Sequence, residues 1–320
     1  MCGTKAEDPP TIAARIGEYG QATKSPFGAD DQLGMLNTVT PSMREAVMDA
    51  ADARDMYDLA VDLFIGMPAY TANGDPPFQM CLTHTPAGSV NEDPESDFAK
   101  SIGGLSGDVV SMYTHTGTHI DSLNHFGYGD AIWNDYRAET ELGSRSWKKC
   151  GPENTPPVVT RGVLLDVPRA LGVESLPDSF GIGPDEVELA LALSKTEIRP
   201  GDAVVFRTGR MRFWPDPERF NPGYLFPGLN LEGAQRIAEA GAVMVGTDCM
   251  APEQSPSTRA DNPAPVHSYL LATCGVPIAE NLWLEDLARE EIYEFAFLFA
   301  PIKFRGATGA PIRPIAFPLG

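Results

Sequence analysis

Residues 115–125 constrain this 320-residue chain more than any other segment. Three of its five histidines, His115, His119 and His125, lie there, and Asp121 stands between the last two. Neutral imidazole and carboxylate groups are suitable ligands for zinc, manganese or iron(II). A buried cluster of this density would be costly without a cation to satisfy it. The segment therefore predicts a divalent-metal site.

Backbone geometry limits how this segment can fold. A regular strand from His115 to Asp121 would separate its ends by about 20 Å, too far for both side chains to reach one ion. Gly117 lies between two threonines and is the natural position for a bulge or turn. A helix would also bring His115 and His119 together, but the glycine and threonines disfavour it. We therefore expect extended segments joined by a bend at Gly117.

Composition and charge disfavour several classes of protein. No window approaches 18 uninterrupted apolar residues and the first residues lack a secretory apolar stretch, so we expect a cytoplasmic protein with no membrane partner. The formal net charge of −20 would repel a phosphate backbone, so nucleic acid is not an expected partner. The five cysteines are scattered and never in a Cys-x-x-Cys spacing, which indicates neither a disulfide framework nor a thiolate zinc site.

Strand-like and helix-like segments alternate along the chain. Helix signals begin at residues 41, 184, 231 and 266, and strand-like runs cover 57–64, 78–83, 109–114, 162–167, 203–208, 243–247, 276–279 and 292–302. The stretch 71–107 is mostly loop by composition. With no internal repeat and no linker poor in apolar residues, we predict a single α/β domain, residues 26–320, with loop insertions. Residues 1–25 are expected to be a loose N-terminal segment.

The segment from His115 to Phe126 resembles a known signature, H-x-G-T-H-x-D-x-P-x-H, of the cyclase-type metal-dependent hydrolases. This family includes bacterial kynurenine formamidase, isatin hydrolase and a dienelactone hydrolase. Leu123 stands where the family usually has proline. The resemblance is closest to the longer-chain branch and extends through residues 27–34, 162–167, 206–209, 245–248 and 265–271. It implies a swivelling β/β/α, cyclase-like fold.

The resemblance also implies roles for individual residues. The implied metal ligands are His115, His119 and Asp121, with His125 as the catalytic acid/base, and His267 and Glu280 as further ligands in settings similar to those of a second-ion site. The implied cofactor is a divalent metal ion, zinc or manganese, one or two per chain. From the residues alone, His267 would instead be a helix residue in contact with solvent, and Glu280 a surface carboxylate.

The chemistry implied by this resemblance is hydrolysis of a small amide, lactam, lactone or formamide through a metal-bound hydroxide. Two alternatives stay open: a small-molecule binding protein on the same scaffold without turnover, and a lyase or cyclase that uses the ion to stabilise an enolate. Family members usually associate, so a homo-oligomer with a small-molecule substrate is expected.

Three further residues are candidates for substrate binding. Phe126 and Phe64 are aromatic side chains that could line an apolar pocket, although core packing is the commoner role of such residues. Arg207, at the end of a predicted strand, could bind a substrate carboxylate or equally pair with an internal acid.

Overall fold

A nine-stranded sheet organises the chain in a computed structural model that describes residues 17–86 and 105–320. The strands are β1 Tyr57–Asp58, β2 Gln79–His84, β3 Gly107–Ser111, β4 His119–Asp121, β5 Val158–Asp166, β6 Gly181–Ile182, β7 Ala203–Arg207, β8 Gly228–Leu229, β9 Met244–Thr247, β10 Ile278–Glu280, β11 Glu294–Phe299, β12 Gly309–Pro311 and β13 Ile315–Pro318. The order across the large sheet is β1-β13-β11-β5-β7-β9-β10-β4-β12. The pairs β2-β3 and β6-β8 form two small sheets.

Short helices surround the sheet. The α-helices are α1 Pro41–Ala50, α2 Ala138–Glu141, α3 Val167–Ala170, α4 Pro184–Ser194, α5 Pro217–Phe220, α6 Leu231–Glu239, α7 Pro265–His267 and α8 Glu285–Arg289. A π-helix, Ser268–Cys274, continues α7, and 3-10 turns cover Gly34–Thr38, Trp133–Asp135, Pro152–Asn154 and Arg210–Phe213. In the described part of the chain, none of these helices is both long and apolar enough to cross a bilayer.

The core forms around four neighbouring parallel strands, β5, β7, β9 and β10. Every residue of β7 and β9 is buried, as expected for parallel strands covered on both faces. Because the strands are parallel, their carboxyl ends meet at one edge of the sheet, where ligands commonly bind in α/β proteins. Asp166, Arg207, Thr247 and Glu280 end these four strands at that edge.

Local sequence signals explain where the longer helices begin. The Thr40 side chain accepts a hydrogen bond from the Met43 amide at the start of α1, and Asn230 caps α6 through the Gly233 amide. Gly183 donates its amide to the Glu186 side chain at the start of α4. The predicted single α/β domain with alternating strands and helices is confirmed.

Several predicted elements differ from the structure. The predicted strand 57–64 is only β1, because the Val61 amide leaves the sheet and donates to Thr118 Oγ1 at 2.9 Å. The helix predicted near 266–272 is α7 followed by the π-helix. The short strands β12 and β13 were not predicted, because each contains proline and covers at most four residues. Residues 1–16 of the expected loose segment, and 87–104 of the expected loop, lie outside the described residues.

Candidate metal centre

The bend in the histidine segment is at Gly117, as predicted. Its φ of +64° is a conformation that favours glycine, and a Cβ added there would lie 2.3 Å from Leu63 Cδ2. The Gly117 carbonyl accepts hydrogen bonds from His119 Nδ1 at 2.8 Å and from Asn281 Nδ2 at 3.1 Å. Because Nδ1 of His119 donates to this carbonyl, Nε2 is the ring nitrogen that faces the centre of the site.

The register between β4 and β10 brings two predicted ligands together. His119, the first residue of β4, pairs directly with Glu280, the last residue of β10. His119 Nε2 lies 3.2 Å from Glu280 Oε2 and 3.3 Å from Asp121 Oδ1. All three side chains are buried.

His267 reaches the same point from the junction of α7 and the π-helix. Its Nε2 lies 3.4 Å from Asp121 Oδ2 and 3.3 Å from Glu280 Oε1. Each carboxylate thus offers one oxygen to His119 and the other oxygen to His267. These separations of 3.2–3.4 Å bring two imidazoles and two carboxylates close enough together that they would suit one small cation.

The buried atoms at this point lack hydrogen-bond partners. Among the described residues, no group hydrogen-bonds to His119 Nε2, Asp121 Oδ2 or Glu280 Oε1. Buried polar groups are normally hydrogen-bonded. Three buried atoms without such partners that face one another therefore indicate a binding site for a cation. Two imidazoles and two carboxylates fit a divalent cation such as zinc or manganese.

His115 and His125 form the other side of the site. His115 Nδ1 lies 2.5 Å from Asp121 Oδ1, and its Nε2 lies 2.9 Å from Thr308 Oγ1. The ring of His125 stacks on that of His115. Ligand atoms of His115, Asp121 and His125 lie within 4.8 Å of one another, as do those of His119, Asp121 and Glu280. Asp121 therefore belongs to two overlapping groups of potential ligands.

The electrostatics of the site differ from one imidazole to the next. Burial lowers the pKa of His125 and outweighs the opposite effect of Asp121, so this ring is neutral at neutral pH. Burial disfavours the charged form of His119, but the carboxylates of Asp121 and Glu280 beside its Nε2 outweigh this and raise its pKa to about 10. Burial opposes the charged form of Asp121, but the imidazoles around it outweigh this and lower its pKa.

The family model for cyclases matches residues 57–254, more than half of the chain. The chain belongs to this cyclase family. A crystal structure of a novel cyclase superposes with a TM-score of 0.82 at 30% identity, over 93% of this chain and 99% of that one, which confirms the predicted cyclase-like fold. No match was found among curated proteins.

Two further solved structures share the cyclase fold at lower identity. An isatin hydrolase bound to the product analogue thioisatinate has a TM-score of 0.60 at 18% identity, over 83% of this chain and 93% of that one. A predicted metal-dependent hydrolase from Bacillus stearothermophilus has a TM-score of 0.52 at 21% identity, over 82% of this chain and 98% of that one.

The three predicted substrate-binding residues of this cyclase-family chain lie in different places. Phe126 is at the site, with its ring centroid 4.6 Å from that of His267 and 4.8 Å from that of His125. Phe64 packs edge-on against Trp214, at 6.2 Å between centroids, and Trp214 in turn packs against a second apolar cluster. It follows Leu63, the residue that contacts the bend.

The structure favours the internal-acid alternative for Arg207 over the predicted binding of a substrate carboxylate. Its Nε and Nη2 each donate to a Glu285 oxygen at 2.8 Å, and Nη1 donates to Asp166 at 2.9 Å. Arg207 lines a surface cavity of about 450 Å³ whose walls include none of the predicted metal ligands. Nε, Nη1 and Nη2 of Arg207 thus each donate to a carboxylate of the protein itself rather than to a substrate.

Sequence reasoning missed three residues that contact the predicted ligands. Glu253 hydrogen-bonds to His267 Nδ1, Thr308 contacts His115, and Asn281 binds the Gly117 carbonyl. Asn281 adjoins the predicted ligand Glu280, and that adjacency was the available signal. Thr308 is 193 positions from His115, so no local spacing could reveal it.

Proposed function

We propose that this cyclase-family protein is a metal-dependent hydrolase that opens or cleaves a small amide, lactam, lactone or formamide. The observation that carries the proposal is the convergence of His119 Nε2, Asp121 Oδ2 and Glu280 Oε1, all buried and without hydrogen-bond partners among the described residues. A neutral imidazole, His125, stands beside them. A cation site next to a proton acceptor is an arrangement that can catalyse acyl hydrolysis.

In this proposal, the side chains of His119, His267, Asp121, Glu280 and His115 hold the ion. Imidazole and carboxylate donors suit zinc and manganese alike. Because Asp121 belongs to two groups of potential ligands, the centre has donors for one ion or for two. When bound, such an ion supplies a Lewis acid that polarises a carbonyl and makes water acidic near neutral pH.

The proton transfers fall to His125. As a neutral ring, it accepts a proton from the attacking water and then donates it to the nitrogen or oxygen that leaves the acyl carbon. Its stacking on His115 fixes the plane of the ring. Phe126 provides an apolar wall beside His125 and His267, which orients a flat acyl group and excludes water.

The names of the similar structures support hydrolysis as the class of reaction. One is named an isatin hydrolase and contains a product analogue, and another is named a predicted metal-dependent hydrolase. We extend the class of reaction to this chain because the buried donor set fits a divalent ion.

The test combines measured metal content with a panel of aryl formamides, lactones and cyclic imides. We expect turnover by protein loaded with zinc or manganese, loss of turnover after chelation, and recovery on adding back the ion. An Asp121→Ala variant should bind little metal and show no turnover. A fully loaded protein that binds a panel member but turns over none would contradict hydrolysis and favour the binding-protein alternative.

A further inference from the structure

The outer ring nitrogens of two proposed ligands are held by different kinds of acceptor. His119 Nδ1 donates to the backbone carbonyl of Gly117 at 2.8 Å. His267 Nδ1 hydrogen-bonds to the carboxylate of Glu253. Both contacts leave Nε2 directed at Asp121 and Glu280. Only the second contact brings a further charge to the site.

The carboxylate of Glu253 is held on a constrained backbone. Glu253 is 5% exposed and forms a parallel bridge with Leu229. A Cβ added at Gly228 would lie 2.5 Å from the Glu253 carbonyl carbon, so these two segments are in close contact. Its Oε1 contacts His267 Nδ1, and its Oε2 accepts the Val266 amide at 3.3 Å. Both oxygens therefore face donors from the same helical turn.

We propose that Glu253 is a positioning residue of the metal centre, which holds the proton of His267 on Nδ1 and directs the Nε2 lone pair toward Asp121 and Glu280. This inference rests on the proposed function, because it takes Nε2 of His267 as a metal ligand. A carboxylate on the outer nitrogen of a ligand imidazole fixes its tautomer and ring orientation and strengthens it as a donor.

Because Glu253 accepts from two donors, Glu253→Gln tests the positioning role without a change in side-chain size. Glutamine has nearly the same size but only one oxygen, while Val266 N–H and His267 Nδ1–H both need an acceptor. If its oxygen serves Val266, its NH2 group faces His267 Nδ1 and favours the tautomer with the proton on Nε2. That tautomer removes the lone pair that would bind the ion. Glu253→Gln should therefore disturb the site as Glu253→Ala does, although it leaves no cavity.

The experiment measures zinc affinity by competition with a chromophoric chelator. We expect Glu253→Ala and Glu253→Gln to bind zinc about 10–100-fold more weakly than wild type, and Glu253→Asp, which keeps two oxygens, to lie in between. The matched control is Glu186→Gln, because that carboxylate also accepts a backbone amide, of Gly183 at 2.8 Å, but hydrogen-bonds to no predicted metal ligand in the described part of the chain. Thermal unfolding in chelator checks that each variant folds without metal.

A spectroscopic readout separates positioning from a general loss of structure. The chain has only five histidines, so 15N-histidine spectra of the zinc-loaded protein can resolve each ring, with His267→Gln for assignment. Wild type should show a protected Nδ1–H on His267, and the Glu253 variants should lose that signal or its protection.

Unchanged zinc affinity in both Glu253→Ala and Glu253→Gln would overturn the positioning role, as would a wild-type ring of His267 that carries its proton on Nε2. Zinc binding without turnover would overturn the proposed hydrolase and leave the role of Glu253 intact. A wild-type protein that binds no zinc or manganese would overturn both.

Discussion

The imidazole of His125 stacks on that of His115, with ring centroids 3.9 Å apart and ring planes 24° apart. The two rings differ in their partners. Both nitrogens of His115 lie within hydrogen-bond distance of protein groups, Asp121 and Thr308. His125 is half-buried and has a lowered pKa because burial disfavours its charged form. In the proposed function, the His115 ring is an ion ligand and the His125 ring transfers protons.

Substitution of His125 tests this division. We expect His125→Asn to keep its metal and to lower kcat by about 10²–10⁴-fold, because general acid–base catalysis supplies a factor of that size. His84→Asn, at an exposed histidine of β2, is the control and should have wild-type activity. Undiminished turnover in the His125 variant would refute the acid/base role, and loss of the metal would make His125 a ligand.

Gly117→Ala tests the bend. A φ of +64° costs an L-residue about 1–2 kcal/mol, so urea unfolding in chelator should show a loss of that order. The control is Gly74→Ala, where φ is +87° but no atom lies within 4 Å of an added Cβ. Both variants share the backbone strain, but only Gly117→Ala should weaken metal binding, because its methyl group displaces Leu63 beside the site.

The double variant Gly117→Ala, Leu63→Ala isolates that contact. It should recover part of the lost metal affinity but none of the stability lost to backbone strain. Equal metal affinity in wild type and Gly117→Ala would contradict the importance of the bend for the site.

The sequence predicted those parts of the site that depend on local spacing and missed those that depend on tertiary contacts. The bend at Gly117 was predictable because a straight strand would keep the side chains of His115 and Asp121 too far apart to reach one ion. The meeting of His119 with Glu280 depends on the register between β4 and β10, which a local pattern does not contain, and only the family resemblance pointed to it. Glu253 lies 14 positions before His267 and contacts its ring. The backbone of Glu253 is held by a bridge to Leu229, which no local pattern predicts.

The large sheet was predicted where strands are buried and apolar along their whole length. β5 and β7 are strands of this kind, and their central residues are buried. β1, β12 and β13 are short, so their own residues carry little strand signal. They are strands because they pair with neighbouring strands in the folded sheet. For Arg207, residue type and position indicated a need for a carboxylate but not whether the carboxylate belongs to the protein or to a ligand.

The internal pairing of Arg207 predicts a structural effect of its removal. Arg207→Met leaves Asp166, which is 1% exposed, without its main partner, and breaking a buried pair of this kind costs about 3–5 kcal/mol. The control is Arg313→Met, which breaks an exposed pair with Asp58 and should leave the free energy of unfolding almost unchanged. Urea unfolding measures both. A Michaelis constant raised in Arg207→Met without loss of stability would restore the substrate-binding interpretation.

Asp248, which follows β9 at the carboxyl edge of the sheet, predicts a pH-dependent contribution to stability. Its carboxyl group accepts hydrogen bonds from Thr208 N and Oγ1, both at 2.7 Å, and from Gly209 N at 2.9 Å. Burial raises its pKa from the ordinary 3.8 to about 6, and the hydrogen bonds from Thr208 offset this only in part. The folded protein therefore holds this proton more tightly than the unfolded chain does.

The sign of the effect follows from that difference. The contribution of Asp248 to stability is complete below about pH 4 and is lost as pH rises through about 6, up to about 3 kcal/mol in all. Asp248→Asn has no proton to lose, so its free energy of unfolding should improve relative to wild type between pH 4.5 and 7. Urea unfolding in chelator measures this difference, and Asp30→Asn, which removes the same charge from a fully exposed side chain, is the control. If the difference between Asp248→Asn and wild type stayed constant over this range, the raised pKa would be wrong, and the hydrogen bonds from Thr208 and Gly209 would outweigh the burial of the charge.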